Sequence, residues 1–130
     1  ESKADEIIIW GTGNAMREFL HVDDMASASI HVMNLDQTRY STAIEPMLSH
    51  INVGTGEDCT IRELAELIAA VTKFEGRLIF DESKPDGAPR KLLDVQQLRS
   101  LGWSPKTNLE HGLTTTYHLF IAKMNNRMTR

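Results

Sequence analysis

The sequence predicts an α/β protein with a small mixed sheet and packed helices. Short β-branched or aromatic runs alternate along the chain with amphipathic helical patterns, which favours an arrangement with some parallel strand pairing. The length of 130 residues suits a single domain over residues 1–130 with one modest core. Hydrophobic residues make up 41% and charged residues 25% of the chain, as in globular proteins.

The first third of the chain predicts two strands and a helix. Residues 7–10 and 19–22 are apolar runs bounded by turn residues, and we expect both to be buried strands. Asp23 is the expected N-cap of a helix that reaches about Leu35, because apolar residues follow it at helical spacing. Residues 36–49 have no clear period, so we expect a long surface loop there.

The middle of the chain has the clearest helix signal. A strand is predicted at residues 50–53. Thr60 and Glu63 then form a capping box, in which the hydroxyl and the carboxylate each accept from a backbone amide that the helix leaves unpaired. Another strand is predicted at residues 77–80. Residues 81–90 contain two prolines and a glycine, and we expect an irregular loop.

The last third predicts two helices. Asp94 with Gln97 is expected to cap a short helix that ends at Gly102. Residues 107–110, Thr-Asn-Leu-Glu, are a second capping box, and apolar residues follow on one side of a final helix. We expect the tail from Asn125 to fray.

Charge and composition exclude several classes of function. Lys plus Arg number 14 and Asp plus Glu number 18, so the net charge of -4 provides no positive field to hold a nucleic acid. The single cysteine, Cys59, cannot form an internal disulfide, and no apolar run is long enough to cross a membrane. We expect a cytoplasmic protein without membrane or nucleic-acid partners. Because the sequence starts at Glu1 without an initiator Met, we also expect a longer natural chain.

Two glycine turns invite a dinucleotide-binding interpretation. Residues 11–13, Gly-Thr-Gly, follow a predicted strand, but Met16 stands where the third glycine of a fingerprint would be and no βαβ unit follows. Residues 54–56 repeat the pattern with neither a third glycine nor a P-loop lysine. The favoured interpretation is a pair of ordinary turns that bind no cofactor.

Trp10 and Arg17 lie near each other in sequence, on either side of the first glycine turn. A guanidinium matches phosphate oxygens in a bidentate way, and an indole offers a flat face or a donor, so together they suit a phosphorylated sugar. The alternative is that Arg17 pairs with Glu18 or Asp23 while Trp10 simply packs, and composition alone favours that alternative.

The loop of residues 84–91 concentrates three cations, Lys84, Arg90 and Lys91, in an acidic protein. Arg90 and Lys91 could neutralise a diphosphate, and Asp86 could accept a hydrogen bond from a ribose or a base. A solvated surface turn explains the same residues equally well. The five histidines show no zinc-site spacing, and Cys59 is assigned no role, so no metal or catalytic residue is predicted here.

Four segments together resemble one enzyme family. They are WGTGNAMREFLHVDDM at 10–25, LSHINVGTG at 48–56, SKPDGAPRKLLD at 83–94 and LGW at 101–103. These segments look like the GDP-L-fucose synthases, which are extended short-chain dehydrogenases/reductases. The Arg-Glu-Phe segment and LGW occur broadly in enzymes of nucleotide sugars, whereas WGTG with MREFLHV and KPDG with PRK look particular to this family.

The resemblance implies a GDP-sugar site and names its residues. Trp10, Arg17 and Asp86 are expected to contact the GDP-sugar, with Lys91 a further contact and Arg90 a less certain one. The implied chemistry is epimerisation of GDP-4-keto-6-deoxymannose and its reduction by NADPH to GDP-L-fucose, in an enzyme expected to be a homodimer. The chain is expected to be the carboxyl-terminal, substrate-binding domain of that enzyme.

The catalytic half of the family is not expected in this chain. Its Gly-rich NADP fingerprint, its Ser with Tyr-x-x-x-Lys, and the Cys and His of epimerisation should precede residue 1, so NADP would not bind here. Tyr40 and Tyr117 are each followed four residues later by isoleucine, so neither can form the Tyr-Lys pair that donates the proton. Two alternatives stay open: a free-standing nucleotide-sugar binding module, and a related epimerase or dehydratase with another nucleotide sugar.

Overall fold

Two small sheets organise the computed structural model, which describes residues 5–45, 47 and 49–128. The first sheet pairs two parallel strands, β1 (Glu6–Trp10) and β4 (Arg77–Asp81). The second has the strand order β3 (Cys59–Thr60), β2 (Met16–Arg17) and β5 (Arg90–Lys91). Strand β2 is antiparallel to β3 and parallel to β5. Small mixed sheets with helices confirm the predicted α/β class.

The helices fill the connections between the strands. Within the described residues they are α1 (Val22–Met33), α2 (Gln37–Ala43), α3 (Ile61–Thr72), α4 (Gln96–Ser100) and α5 (Leu109–Met128). Helices α1 to α3 lie between β1 and β4 in sequence, since parallel strands need a long crossover. Helix α3 packs on α5. None of the helices in the described part of the chain is long and apolar enough to cross a membrane.

The helix starts show where local signals are sufficient. The predicted capping box of α3 is confirmed: Thr60 Oγ1 accepts from the Glu63 amide at 3.1 Å, and the Glu63 carboxylate accepts from the Thr60 amide at 2.8 Å. The Glu63 carboxylate also accepts from the Thr60 hydroxyl at 2.8 Å, and the bonds that it accepts from the Thr60 amide and hydroxyl lower its pKa. At α5 the predicted Thr107 cap is wrong, because Asn108 Oδ1 accepts from the His111 amide at 2.8 Å and the helix begins one residue later.

Three further helix predictions need correction. Helix α1 begins at Val22 with His21 as its N-cap, two residues before the expected cap Asp23, and it ends at Met33. The loop predicted at residues 36–49 contains α2, whose N-cap Asp36 accepts from the Arg39 amide at 2.9 Å. Pro46 and Leu48 of that loop lie outside the described residues. Helix α5 continues to Met128, so the tail from Asn125 does not fray where expected.

Two predicted strands are wrong and two are confirmed. Residues 7–10 and 77–80 lie in β1 and β4, although β1 is mostly exposed and its Ile8 is 63% accessible. Residues 19–22 and 50–53 join no ladder within the described chain. An apolar run becomes a strand only where a partner edge meets it, and β3 and β5 pair with residues 16–17 instead.

The small core explains why Ile51 and Val53 are apolar although they form no strand in the part of the chain that the structure describes. Ala28 of α1, Leu98 of α4 and Trp103 are buried together, and Ile51 and Val53 pack against them. The predicted stop of α4 is confirmed, since Gly102 follows the helix with φ of 95°. The predicted Asp94 cap of α4 is wrong, because Val95 is the N-cap and makes no side-chain hydrogen bond; Asp94 Oδ1 accepts from the Gln96 amide at 2.9 Å.

Candidate functional site

The carboxyl ends of β1 and β4 lie side by side. Trp10 and Asp81 are register partners at these ends, and the Gly11 amide donates to the Asp81 carbonyl at 2.9 Å. Both strands then run into loops, residues 11–15 and 82–89. Ligands of open α/β sheets bind at such carboxyl ends, so the two loops form the first candidate site.

Asp86 joins the two loops directly. Its Oδ1 accepts from the Thr12 amide at 2.9 Å and its Oδ2 accepts from the Thr12 hydroxyl at 2.6 Å. A Cβ on Gly11, whose φ is 88°, would lie 2.2 Å from Asp86 Oδ1. A Cβ on Gly13 would lie 2.6 Å from the Phe80 ring. The glycines therefore permit close packing of the loops, and the space above them is filled by protein atoms.

Arg17 holds the far end of the same loop from its place on β2. Its Nη1 donates to the Met16 carbonyl at 2.6 Å and to the Ala88 carbonyl at 2.7 Å. Among the described residues no ion pair joins Arg17 to Glu18 or Asp23, so the alternative pairing is not formed. Because both of these hydrogen bonds come from Nη1, the other side of the guanidinium fork can meet an anion.

Arg90 and Lys91 form β5, next to β2. Arg90 already has an ion-pair partner in Asp58. Arg90 Nε and Nη2 donate to the two carboxylate oxygens of Asp58 at 2.6 and 3.2 Å. The Asp58 side chain is 6% exposed and that of Arg90 58%. The hydrogen bond from Arg90 lowers the pKa of Asp58. Arg90 therefore ties β5 to the segment before β3, while the Lys91 side chain is exposed.

Trp10 presents its indole to solvent beside a lysine. It is 73% exposed, and Lys84 Nζ lies 5.8 Å from the centre of its ring. A turn at the end of β4 places this lysine: the Lys84 amide donates to the Asp81 carbonyl at 3.1 Å, and Asp81 Oδ1 accepts from the Ser83 amide at 3.1 Å. Sequence reasoning counted Lys84 among the loop cations and assigned it no contact with Trp10.

Arg17 is also one of the residues that line a cavity of about 570 Å³. The cavity is lined by Arg17, Phe19, Thr55, Glu57, Asp58, Cys59, Arg99 and residues 104–109. Burial raises the pKa of the Cys59 thiol, and the carboxylates of Glu63 and Asp58 raise it further. Arg99 reaches the cavity from α4, where its Nη2 donates to the Thr55 carbonyl at 2.8 Å. No local signal marked Arg99, because it lies 44 residues from its partner.

Glu18, next to Arg17 in the Arg-Glu-Phe segment, bonds to distant parts of the chain. Its Oε1 accepts from the Gly56 amide at 2.6 Å and its Oε2 from the Leu93 amide at 3.2 Å. A Cβ on Gly54 would lie 2.5 Å from Oε1. This carboxylate connects the end of β2 with residues 54–56 and with Leu93, so its role is to hold the scaffold of the site.

Asp24 also connects distant segments, from the start of α1 to residues 106–107. It is 4% exposed, and its two oxygens accept from the Lys106 amide at 3.1 Å and the Thr107 amide at 2.9 Å. Burial acts to raise the pKa of Asp24, but these amides, with the Thr107 hydroxyl and His21, hold it below its usual value. Within the described residues no group of three or more His, Cys, Asp or Glu could hold a metal ion.

The comparisons with known proteins agree on one group of enzymes. A sequence profile of the NAD dependent epimerase/dehydratase family matches residues 1–54. A GDP-L-fucose synthase from Escherichia coli is 60% identical over 118 residues, which are 91% of this chain and 37% of that protein. GDP-L-fucose synthase 1 from Arabidopsis thaliana is 49% identical over 124 residues, 95% of this chain and 36% of that protein.

A solved structure is similar in fold as well as in sequence. A GDP-mannoheptose C4 reductase from Campylobacter jejuni, with NADP bound, superposes with a TM-score of 0.75 at 38% identity, covering 89% of this chain and 35% of that one. The chain thus spans about a third of the length of the relatives it matches. It is similar to the NAD dependent epimerase/dehydratase family over residues 1–54 and to a GDP-L-fucose synthase over 91% of its length.

Proposed function

We propose that this chain is the GDP-sugar-binding domain of an NADP-dependent GDP-L-fucose synthase. The complete enzyme would epimerise GDP-4-keto-6-deoxymannose and reduce it with NADPH to GDP-L-fucose. The support is the 60% identity to the Escherichia coli GDP-L-fucose synthase together with the loops that meet at the carboxyl ends of β1 and β4. We propose residues 1–130 as a single domain, within a cytoplasmic homodimer.

Arg17 is the residue that carries the proposal most directly. It lies between the loop of Asp86 and the 570 Å³ cavity, and its Nη1 is occupied by backbone carbonyls. We propose that its remaining N–H groups bind the diphosphate, because a guanidinium fork matches phosphate oxygens and its charge is fixed.

The other proposed contacts come from β1, β5 and the loop of residues 82–89. The exposed indole of Trp10 offers a flat face to the sugar or base, and Lys91 adds an exposed cation on the neighbouring strand. Each Asp86 oxygen has a second lone pair, so Asp86 can accept from a ligand hydroxyl while it holds Thr12. Arg90 is the weakest of the proposed ligands, since Asp58 already occupies its guanidinium.

NADP does not fit the glycine turn of this chain. Side chains of Asp86 and Phe80 fill the space in which a pyrophosphate would approach Gly11 and Gly13. We propose that NADP and the catalytic residues belong to another part of the enzyme.

The decisive experiment compares nucleotides on the complete enzyme. Calorimetric titration with GDP-L-fucose and with UDP-sugars should show binding of the GDP-sugar alone. Equal binding of UDP-sugars would favour a related epimerase or dehydratase and reject the specific proposal. The gene discriminates the remaining alternative: a start codon near the codon of Glu1 would favour a free-standing binding module, and an upstream Gly-rich βαβ unit with Tyr-x-x-x-Lys would support the enzyme.

A further inference from the structure

Thr12 makes an unusual double contact with the loop of the proposed site. Its amide and its hydroxyl bind the two separate oxygens of Asp86, at 2.9 and 2.6 Å, across 74 residues of sequence. A carboxylate that accepts from two donors of one residue is fixed in both position and orientation.

Thr12 is itself held from two other directions. Its carbonyl accepts from Arg62 Nη2 of α3 at 2.8 Å, and its hydroxyl oxygen accepts from the Asn14 amide at 3.1 Å. The preceding residue, Gly11, is bonded to the end of β4. The 11–15 loop is therefore the fixed partner of this contact, and Asp86 is the group that it holds.

We infer that Thr12 is a positioning residue of the proposed GDP-sugar site. It holds Asp86, and with it residues 84–88, against the end of β1, so that Asp86 and Trp10 meet the ligand in a fixed relation. A loop ordered before binding saves the entropy that a ligand would otherwise spend to order it. The identity of the ligand rests on the proposed function, whereas the ordering of the loop rests on the hydrogen bonds alone.

The loss of this contact should act locally. The end of the loop keeps two other bonds, from the Met16 amide to the Pro89 carbonyl at 2.8 Å and from Arg17 to the Ala88 carbonyl. Without the Thr12 hydroxyl, the middle of the loop loosens while β5 stays paired with β2. The protein should therefore fold with nearly its normal melting temperature.

The test compares Thr12→Val with Thr12→Ser in the complete enzyme. Valine has the shape of threonine without the donor, whereas serine keeps the hydroxyl. Titration with GDP-L-fucose should show Kd raised about tenfold by T12V and about twofold or less by T12S. KM for the keto-sugar should rise with T12V far more than kcat falls, because the reacting groups lie elsewhere.

Asp86→Asn completes a double-mutant cycle. If Thr12 acts through Asp86, the double variant T12V/D86N should bind no more weakly than the weaker of the two single variants. Two results would overturn the inference and leave the proposed function intact. One is a loss of GDP-sugar affinity in the double variant equal to the sum of the two single losses. The other is wild-type affinity in T12V together with weakened affinity in D86N.

Amide exchange separates the inference from the proposed function. The amide of residue 12, which donates to Asp86 Oδ1, should exchange faster in T12V than in the wild type or in T12S, with no ligand present. Unchanged exchange in T12V refutes the positioning role. A wild-type enzyme that binds no GDP-sugar refutes the proposed function and the ligand of this inference, and the exchange result then still decides whether Thr12 orders the loop.

Discussion

Replacing Asp24 with asparagine is expected to lower the free energy of unfolding by about 2 kcal/mol. The carboxylate is 4% exposed and accepts from the Lys106 and Thr107 amides at 3.1 and 2.9 Å. Asparagine keeps one acceptor and turns an NH2 group toward the second amide. One buried N–H therefore loses its partner, and the surviving bond loses its charge, which together cost about 2 kcal/mol.

Asp23→Asn is the matched control. Its side chain is 87% exposed and lies in the same first turn of α1, so it loses the same charge near the helix N-terminus. That loss costs about 0.5 kcal/mol. The difference between the two variants therefore isolates the two amide hydrogen bonds of Asp24.

Urea unfolding provides the measurement, with the fluorescence of Trp103 as the probe. This indole is buried in the core, and its Nε1 donates to Ser27 Oγ of α1 at 3.0 Å, so it reports on the structure that Asp24 holds.

The pH dependence of stability provides a second test. Because the folded pKa of Asp24 is lowered, its contribution is present above about pH 4 and is lost as the pH falls through the folded value. The gap between wild type and D24N should narrow in acid, and a D24N variant as stable as D23N at pH 7 would refute this reasoning.

Three further predictions concern the site and its frame. In the complete enzyme, Arg17→Ala should weaken GDP-sugar binding by about 1.5 to 3 kcal/mol, as measured by calorimetry. Gly13→Ala should lower stability by about 3 kcal/mol, because an alanine there adopts φ of 81° and its Cβ meets the Phe80 ring. Asp58→Asn should reduce the loss of stability on acidification below about pH 4, measured by urea unfolding at a series of pH values. Pairing with Arg90 keeps the folded pKa of Asp58 low, so the wild-type carboxylate loses its contribution to stability as the pH falls through that value.

Each of these predictions has a control within the chain. Lys123→Ala removes one exposed cation on α5 and should leave GDP-sugar affinity unchanged; equal losses from both variants would remove Arg17 from the site. Gly102→Ala has φ of 95° but its Cβ would meet no atom closer than 3.9 Å, so it should cost only about 1 kcal/mol. A G13A variant with the same free energy of unfolding as G102A, or a higher one, would contradict the predicted clash with Phe80. Glu82→Gln removes an exposed carboxylate and should keep the acid slope that Asp58→Asn loses.

Sequence alone determined the features that depend on neighbours a few residues apart. The Thr60–Glu63 capping box and the stop at Gly102 are local arrangements of backbone and side chain, and both are confirmed. The resemblance of four sequence segments, taken together, also identified the enzyme group that the comparisons support.

Tertiary structure alone decided which apolar runs became strands and which charged groups meet. Residues 19–22 and 50–53 read as strands, yet pairing depends on a partner edge that no local pattern reveals. Asp86 was predicted as a ligand contact, and only the fold brought Thr12 to its two oxygens. Hydrogen bonds across 74 residues form because chain segments pack together, so their partners are a property of the fold, whereas a cap is a property of a single turn.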